Sequence, residues 1–113
     1  MADAAYYLAG YAIECALKAC IAKNYQAGQW PEKGFVLDCH THEIRKLIKL
    51  AALETAISVD VVSNLQLGTN WIIVKDWSER SRYERHSIQK AQRLYDAISN
   101  AQDGALPWIK NHW

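Results

Sequence analysis

The segment Ala4–Lys23 is apolar on nearly every side of a helix, yet it carries one polar stripe. At a helical advance of about 100° per residue, the stripe consists of Asp3, Tyr7, Gly10, Glu14 and Lys18. Almost every other side chain of the segment is Ala, Leu, Ile, Tyr or Cys. We therefore expect a helix that is buried nearly all round, against its own bundle and a second subunit, with Glu14 and Lys18 inside an interface.

Two later segments repeat apolar residues at helical spacing. Thr41 is the predicted N-cap of a short amphipathic helix, with Glu43 in its first turn. A third helical stretch is predicted from near Ser58 toward Trp77, with a break at Gly68. The apolar run at 71–74 within it resembles a strand, but no other segment offers that strand a partner. We therefore expect it to be helical.

The segment Ser81-Arg82-Tyr83-Glu84 has the form of a capping box, so the last long helix is predicted to begin at Arg82. Gly104 is its predicted C-terminal cap, and a short tail follows. Residues 24–38 contain Gly and Pro breakers, which predict a long loop. Together these elements predict an all-α, up-and-down bundle of four to five helices that forms one domain over residues 1–113.

Composition narrows the class of protein. The chain has 113 residues, half of them hydrophobic, which suffices for the core of one domain. A formal net charge of +1 excludes a strongly basic coat, so anion binding requires local clusters of cations. Cys15 and Cys20 lie five residues apart on one predicted helix and cannot bridge each other, and Cys39 makes the number odd. We expect reduced thiols, a cytoplasmic location and no membrane span.

A cationic cluster precedes and opens the predicted last helix. It contains Arg80, Arg82, Arg85 and His86. Arginines near a helix N-terminus favour phosphate, and a histidine among them is a suitable acid or base for phosphodiester chemistry. An ordinary charged helix N-terminus at the protein surface would show the same spacing. Phosphate binding and a purely surface role therefore both stay open.

For two other groups of residues, a structural role is favoured over metal binding or catalysis. Cys39-His40-Thr41-His42 resembles part of a metal site, but the chain offers no second Cys/His pair, and a loop with a helix cap is expected instead. Glu14 and Lys18 have the ideal spacing of a structural ion pair. Neither a metal nor another cofactor is predicted.

The motifs of the chain, in their order, resemble the HEPN domain, a helical bundle named for nucleotide binding in higher eukaryotes and prokaryotes. The matching residues are Glu14-Cys-Ala-Leu17-Lys18, His42-Glu43-Ile44-Arg-Lys-Leu47, and Trp77 with Arg82-Tyr83. The resemblance implies a homodimer whose long helices face each other, with a composite site in the cleft between subunits. In that cleft, Glu14 and Lys18 would line or brace a site for RNA or nucleotide phosphate, together with Arg82 and Tyr83.

The resemblance also implies two alternative functions. Many HEPN proteins, including toxins of toxin–antitoxin pairs, are metal-independent endoribonucleases with an Arg, four to six intervening residues and a His. Arg80 and His86 match that spacing and would be the catalytic pair, although Ile88 stands where the commonest toxin form has Tyr. Other members are non-catalytic partners of a small nucleotidyltransferase. Binding of RNA or nucleotide phosphate is the principal expectation.

Overall fold

The computed structural model describes residues 2–24 and 38–113, and this part of the chain is all-helical, without strands. The elements are α1 (Ala2–Lys23), α2 (Ile44–Leu50), α3 (Glu54–Ser63), α4 (Leu65–Lys75), a 3₁₀ helix (Glu79–Tyr83), α5 (Ile88–Ser99) and α6 (Ala105–Lys110). The prediction of an all-α fold is confirmed, as is the helical state of residues 71–74. The described residues form six α-helices where four to five were predicted, because the predicted third helix is divided in two and the predicted tail contains α6. No described helix combines the length and apolar character that a membrane span requires.

Helix α1 is the element around which the others pack. It contacts α2, α5, α6 and the 3₁₀ helix, so residues from both ends of the chain share one core. The largest fully buried side chains of that core are Ile13, Leu17, Ile44, Leu47, Val74, Trp77, Leu94 and Ile109. Each such side chain stabilises the fold by about 1.5–3 kcal/mol relative to an exposed position.

The polar stripe of α1 faces the bundle of its own chain. Gly10 and Glu14 are both buried, and the Trp77 indole lies so close to Gly10 that a Cβ there would overlap it. Glycine is therefore needed at this point of contact between α1 and the residues after α4. Glu14 reaches its burial within a single chain, without the second subunit that the sequence suggested.

The break between the central helices lies at Asn64, and the prediction of a break at Gly68 is wrong. Asn64 ends α3 and is the N-cap of α4, because its side-chain oxygen accepts a hydrogen bond from the Leu67 N–H at 3.1 Å. Its amide nitrogen also donates to Asp103 Oδ1. Gly68 lies inside α4. The predicted third helix is thus two helices, which begin at Glu54 and Leu65.

Three predicted caps are also wrong. The last long helix begins at Ile88, where the Ser87 side chain accepts from the Lys90 N–H, so Ser81 does not cap it. Gly104 is the N-cap of α6 and not the end of α5. The N-cap of α2 is Glu43, whose N–H donates to Thr41 Oγ1. The predicted loop, apart from its terminal residues 24 and 38, lies outside the described residues.

Helix α2 ends in a Schellman motif that the sequence did not reveal, because its left-handed residue is Ala52 (φ 61°) and not glycine. The Leu53 N–H donates to Ile48 O, and the Ala52 N–H donates to Lys49 O, both at 3.0 Å. Leu53 and Ile48 are both buried, as the hydrophobic contact of this motif requires.

Ala52→Gly is expected to stabilise the protein. Left-handed backbone costs an L-residue about 1–2 kcal/mol, whereas the added entropy of unfolded glycine costs about 0.5–1 kcal/mol. Urea unfolding should show a net gain of about 0.5–1 kcal/mol. The matched control is Ala51→Gly, in right-handed backbone (φ −76°), which should lose about 1 kcal/mol. Equal losses in both variants would contradict the assignment.

Candidate functional site

Glu14 is a carboxylate with 2% residue exposure in the middle of an apolar helix, and it has two cationic or donor partners. Lys18 Nζ lies 3.3 Å from its Oε2, one helical turn along α1. His42 Nδ1 lies 3.1 Å from Oε1 and 3.0 Å from Oε2. The predicted Glu14–Lys18 ion pair is confirmed. Because a buried carboxylate needs such partners, the arrangement also fixes His42 against α1.

His42 joins α1 to the 3₁₀ helix. Its Nδ1 faces the buried Glu14, and its Nε2 lies 3.6 Å from Glu79 Oε2 at the start of the 3₁₀ helix. The His42 side chain is 42% exposed and that of Glu79 is 45% exposed. One imidazole thus has an enclosed nitrogen that is fixed by a carboxylate and a second nitrogen at the surface.

An open depression of about 480 Å³, the first depression, is lined partly by Glu43 and Arg80, which directly follow His42 and Glu79 in the chain. Its lining residues are Glu43, Ile44, Arg45, Lys75, Asp76, Trp77, Ser78 and Arg80. Arg45 is paired with Asp76. Arg80 is exposed, follows Glu79 in the chain and brings a further guanidinium to the same place. The depression therefore presents three cations, Arg45, Lys75 and Arg80.

A second depression, of about 580 Å³, contributes two further cations, Lys46 and Lys49. It is lined by Asp38, His40, Thr41, Lys46, Lys49 and Leu50. Lys46 also lies 3.8 Å from Glu43 Oε2. Thr41 lines the second depression and Glu43 lines the first, so His42 stands between lining residues of the two.

His86 lies in different surroundings from Arg80. It has 8% exposure and stacks on Tyr6 of α1, with 3.9 Å between ring centroids and 20° between planes. The His86 N–H donates to Asp3 Oδ1. Arg80 is at the surface of the first depression, whereas His86 is buried against α1. Their role as a catalytic pair stays a prediction.

The remaining residues of the predicted cationic cluster do not open a helix, because α5 begins only after His86. Tyr83 is 83% exposed at the end of the 3₁₀ helix. The side chain of Arg82 lies outside the described part of the structure, so its predicted role in binding stays a prediction. Arg85 is exposed.

The three cysteines are free thiols. The prediction that Cys15 and Cys20 do not bridge is confirmed, since Cys15 is exposed and Cys20 is buried. Burial raises the pKa of the Cys20 thiol and that of Cys39. Cys39 stands three residues before His42, whose ring is turned to Glu14.

The sequence did not single out His42 as the partner of Glu14. The available signal was that a carboxylate on so apolar a helix requires a donor from elsewhere in the chain, and that His42 is the histidine of the second HEPN-like motif. No protein-family model, curated protein or solved structure was found to match this chain. The resemblance to HEPN therefore rests on the motif residues themselves.

His42→Ala is expected to lower the free energy of unfolding by about 1–3 kcal/mol, because it removes a donor from a buried carboxylate. His42→Asn should retain most of the stability, since its amide nitrogen can donate to Glu14 in place of Nδ1. His40→Ala is the matched control, because His40 is exposed nearby. Urea unfolding measures all three, and equal stability of wild type and His42→Ala would contradict the importance of the contact.

Proposed function

We propose that this protein is a HEPN-like domain that binds RNA or nucleotide phosphate on a basic surface made by the side chains of Arg45, Lys46, Lys49, Lys75 and Arg80. The observation that carries the proposal is that these five cations line the two depressions. One depression contains Glu43 and the other Thr41, the two sequence neighbours of His42. The chain as a whole has a net charge of only +1. Local concentration of cations is what phosphate recognition requires of such a chain.

The carboxylates near this surface are compatible with phosphate binding. Arg45 is paired with Asp76 and Lys46 with Glu43, and all four side chains are 59–66% exposed. Exposed ion pairs of this kind contribute about 0–1 kcal/mol each. A phosphate, which offers more acceptor oxygens and more charge, can therefore replace the carboxylate as the partner of either cation.

An exposed aromatic residue favours RNA or a nucleotide over a simple anion. Tyr83 belongs to the same 3₁₀ helix as Arg80 and exposes 83% of its surface. Exposed aromatic rings bind bases by stacking, while cations contact the backbone. The basic surface and Tyr83 together thus offer contacts for the phosphate and for the base of a nucleotide.

Arg80→Ala is expected to weaken binding of a fluorescein-labelled, single-stranded oligoribonucleotide by about 3- to 10-fold at 50 mM salt, because it removes one phosphate contact. The slope of log affinity against log salt should fall by about 0.7. Fluorescence anisotropy measures both quantities. Arg93→Ala is the matched control, because Arg93 lines a groove between α4 and α5. An equal loss in Arg93→Ala, or none in Arg80→Ala, would contradict the proposal.

The same proposal includes a homodimer that forms through the outward face of α1. Between positions 4 and 22, every exposed residue of α1 is uncharged, and Leu8 and Tyr11 expose 60% and 41% of their surface. The exposed positions are Ala4, Ala5, Leu8, Tyr11, Ala12, Cys15, Ala19 and Ala22. The neighbouring Cys15 raises the pKa of the Tyr11 phenol above its ordinary value. Much of this face repeats at spacings of three and four residues, as residues do where two helices pack along each other.

A second copy of α1 is the partner that fits this face. The large side chains, Leu8 and Tyr11, are near its N-terminal end, and the small residues Ala19 and Ala22 are near the other. An antiparallel, two-fold arrangement places the large residues of each copy against the small residues of its partner. An apolar depression of about 510 Å³ between α1 and α5, lined partly by Ile88 and Tyr95, extends the same face.

Leu8→Glu is expected to convert the dimer to a monomer, because it places a charge in an apolar contact. Sedimentation velocity over a range of protein concentrations measures the change. Val62→Glu is the matched control, since Val62 is an equally apolar α3 residue with 79% exposure. Dimers that persist in Leu8→Glu, or that are lost equally in Val62→Glu, would contradict this interface.

A further inference from the structure

Trp77 carries a buried hydrogen-bond donor that no described residue accepts. The residue is 1% exposed, and its Nε1 atom is shielded from solvent. Buried indole N–H groups usually have an acceptor, because an unsatisfied donor loses the hydrogen bond that it made to water in the unfolded chain. The described part of the chain offers Nε1 no such acceptor. An acceptor from another molecule is therefore expected at this nitrogen.

The packing of the indole limits where this donor points. A Cβ atom on Gly10 would meet Cδ1, Cδ2 and Cε2 of the indole at equal distances, so α1 covers the face of the five-membered ring. The N–H lies in the plane of that ring and is therefore directed past α1, not into it. Tyr7 of α1 lies against the indole as well, with 5.7 Å between ring centroids. On its other side Trp77 lines the first depression, a space that a ligand can enter.

The charges of the first depression suit a dianion. Its two carboxylates are each paired with another cation, one of them with Arg45. Its other two cations, Lys75 and Arg80, form no ion pair within the described part of the chain. A terminal phosphate carries a charge of about −1.5 to −2 at pH 7, whereas an internal phosphodiester carries a single charge. Two unpaired cations therefore favour a terminal phosphate over an internal one.

The burial of Trp77 also favours a terminal phosphate. An internal phosphodiester has a ribose on each side, and both sugars hold its oxygens away from a donor that lies below the surface. A terminal phosphate is attached to one ribose only and presents three acceptor oxygens, so it can reach further into the depression. The volume of about 480 Å³ is within the range of sites for small molecules.

We infer that the first depression binds the terminal phosphate of RNA or of a nucleotide, with the Trp77 indole N–H as donor to a phosphate oxygen; this rests on the proposed function. Lys75 and Arg80 balance the charge of that phosphate. The other cations of the basic surface contact the backbone by charge, which does not distinguish one phosphate from the next. The fixed donor adds selection, so the protein distinguishes RNA molecules by the chemistry of their ends.

The first test uses one single-stranded oligoribonucleotide in three forms: with a 5′-phosphate, with a 3′-phosphate and with hydroxyls at both ends. An internal fluorescein leaves the ends free for anisotropy measurements. Wild type should bind one phosphorylated form about 10-fold more tightly than the hydroxyl form, and that form identifies the end. Equal affinity for all three forms overturns the inference and leaves RNA binding in place. Absence of binding to any form overturns both.

The second test removes the indole N–H and keeps the shape of the ring. Benzothienylalanine in place of Trp77 has a sulfur atom where the indole has its N–H. The affinity for the preferred phosphorylated form should fall by about 10-fold, and that for the hydroxyl form should change by less than about twofold. The same replacement at Trp71, a buried α4 residue outside the lining of the first depression, is the matched control. An undiminished preference, or an equal loss in the control, overturns the role of Trp77.

A measurement on wild type does not depend on how well the replacement folds. The indole ¹⁵N–¹H peak of Trp77 is assigned by its nuclear Overhauser effects to Gly10, which packs on the ring. The peak should move when the preferred phosphorylated form is added and should stay in place with the hydroxyl form. A peak that does not respond to the phosphorylated form, as follows if a fixed water accepts the N–H, overturns the inference.

Discussion

The burial of one carboxylate organises this bundle. Glu14 stands on the inward face of an otherwise apolar helix, and its burial is tolerable only because Lys18 and His42 supply donors. The need for those donors fixes the rotation of α1, the approach of the residues before α2 and, through Glu79, the start of the 3₁₀ helix. A hydrophobic pair could stabilise the core equally well, but it would not orient the imidazole.

The same rotation gives α1 an unusual distribution of polarity. Its polar stripe is turned inward, where Gly10 admits the Trp77 indole and Glu14 meets His42. The outward face retains Leu8 and Tyr11, and its other exposed positions between 4 and 22 are Ala or Cys. An ordinary surface helix has the opposite arrangement. The site and the proposed dimer interface are therefore two faces of one helix, set by one carboxylate.

Periodicity predicted the helical state of most of the described chain, but it missed α6 and the division between α3 and α4, and helix ends depend on information that local patterns do not carry. Ser81 and Ser87 both look like caps, and the choice of Ser87 accompanies a contact between Asp3 and the His86 N–H, 83 residues apart. The break at Asn64 depends on its own side chain, which suits a cap better than Gly68 does. The Glu14–Lys18 pair was predictable from spacing, whereas the Glu14–His42 contact spans 28 residues and needed the fold.

The position of α1 at the centre of the bundle has a consequence for biosynthesis. Its buried face packs on α5 and α6, which are made well after α1. At about 5–20 residues per second, tens of residues separate the emergence of α1 from that of Ile109. During those seconds α1 has not yet buried its apolar side chains, and Glu14 has Lys18 of its own helix as a partner. Contacts of such high sequence separation slow folding, because the entropy of closing the long loop must be lost before the contact forms.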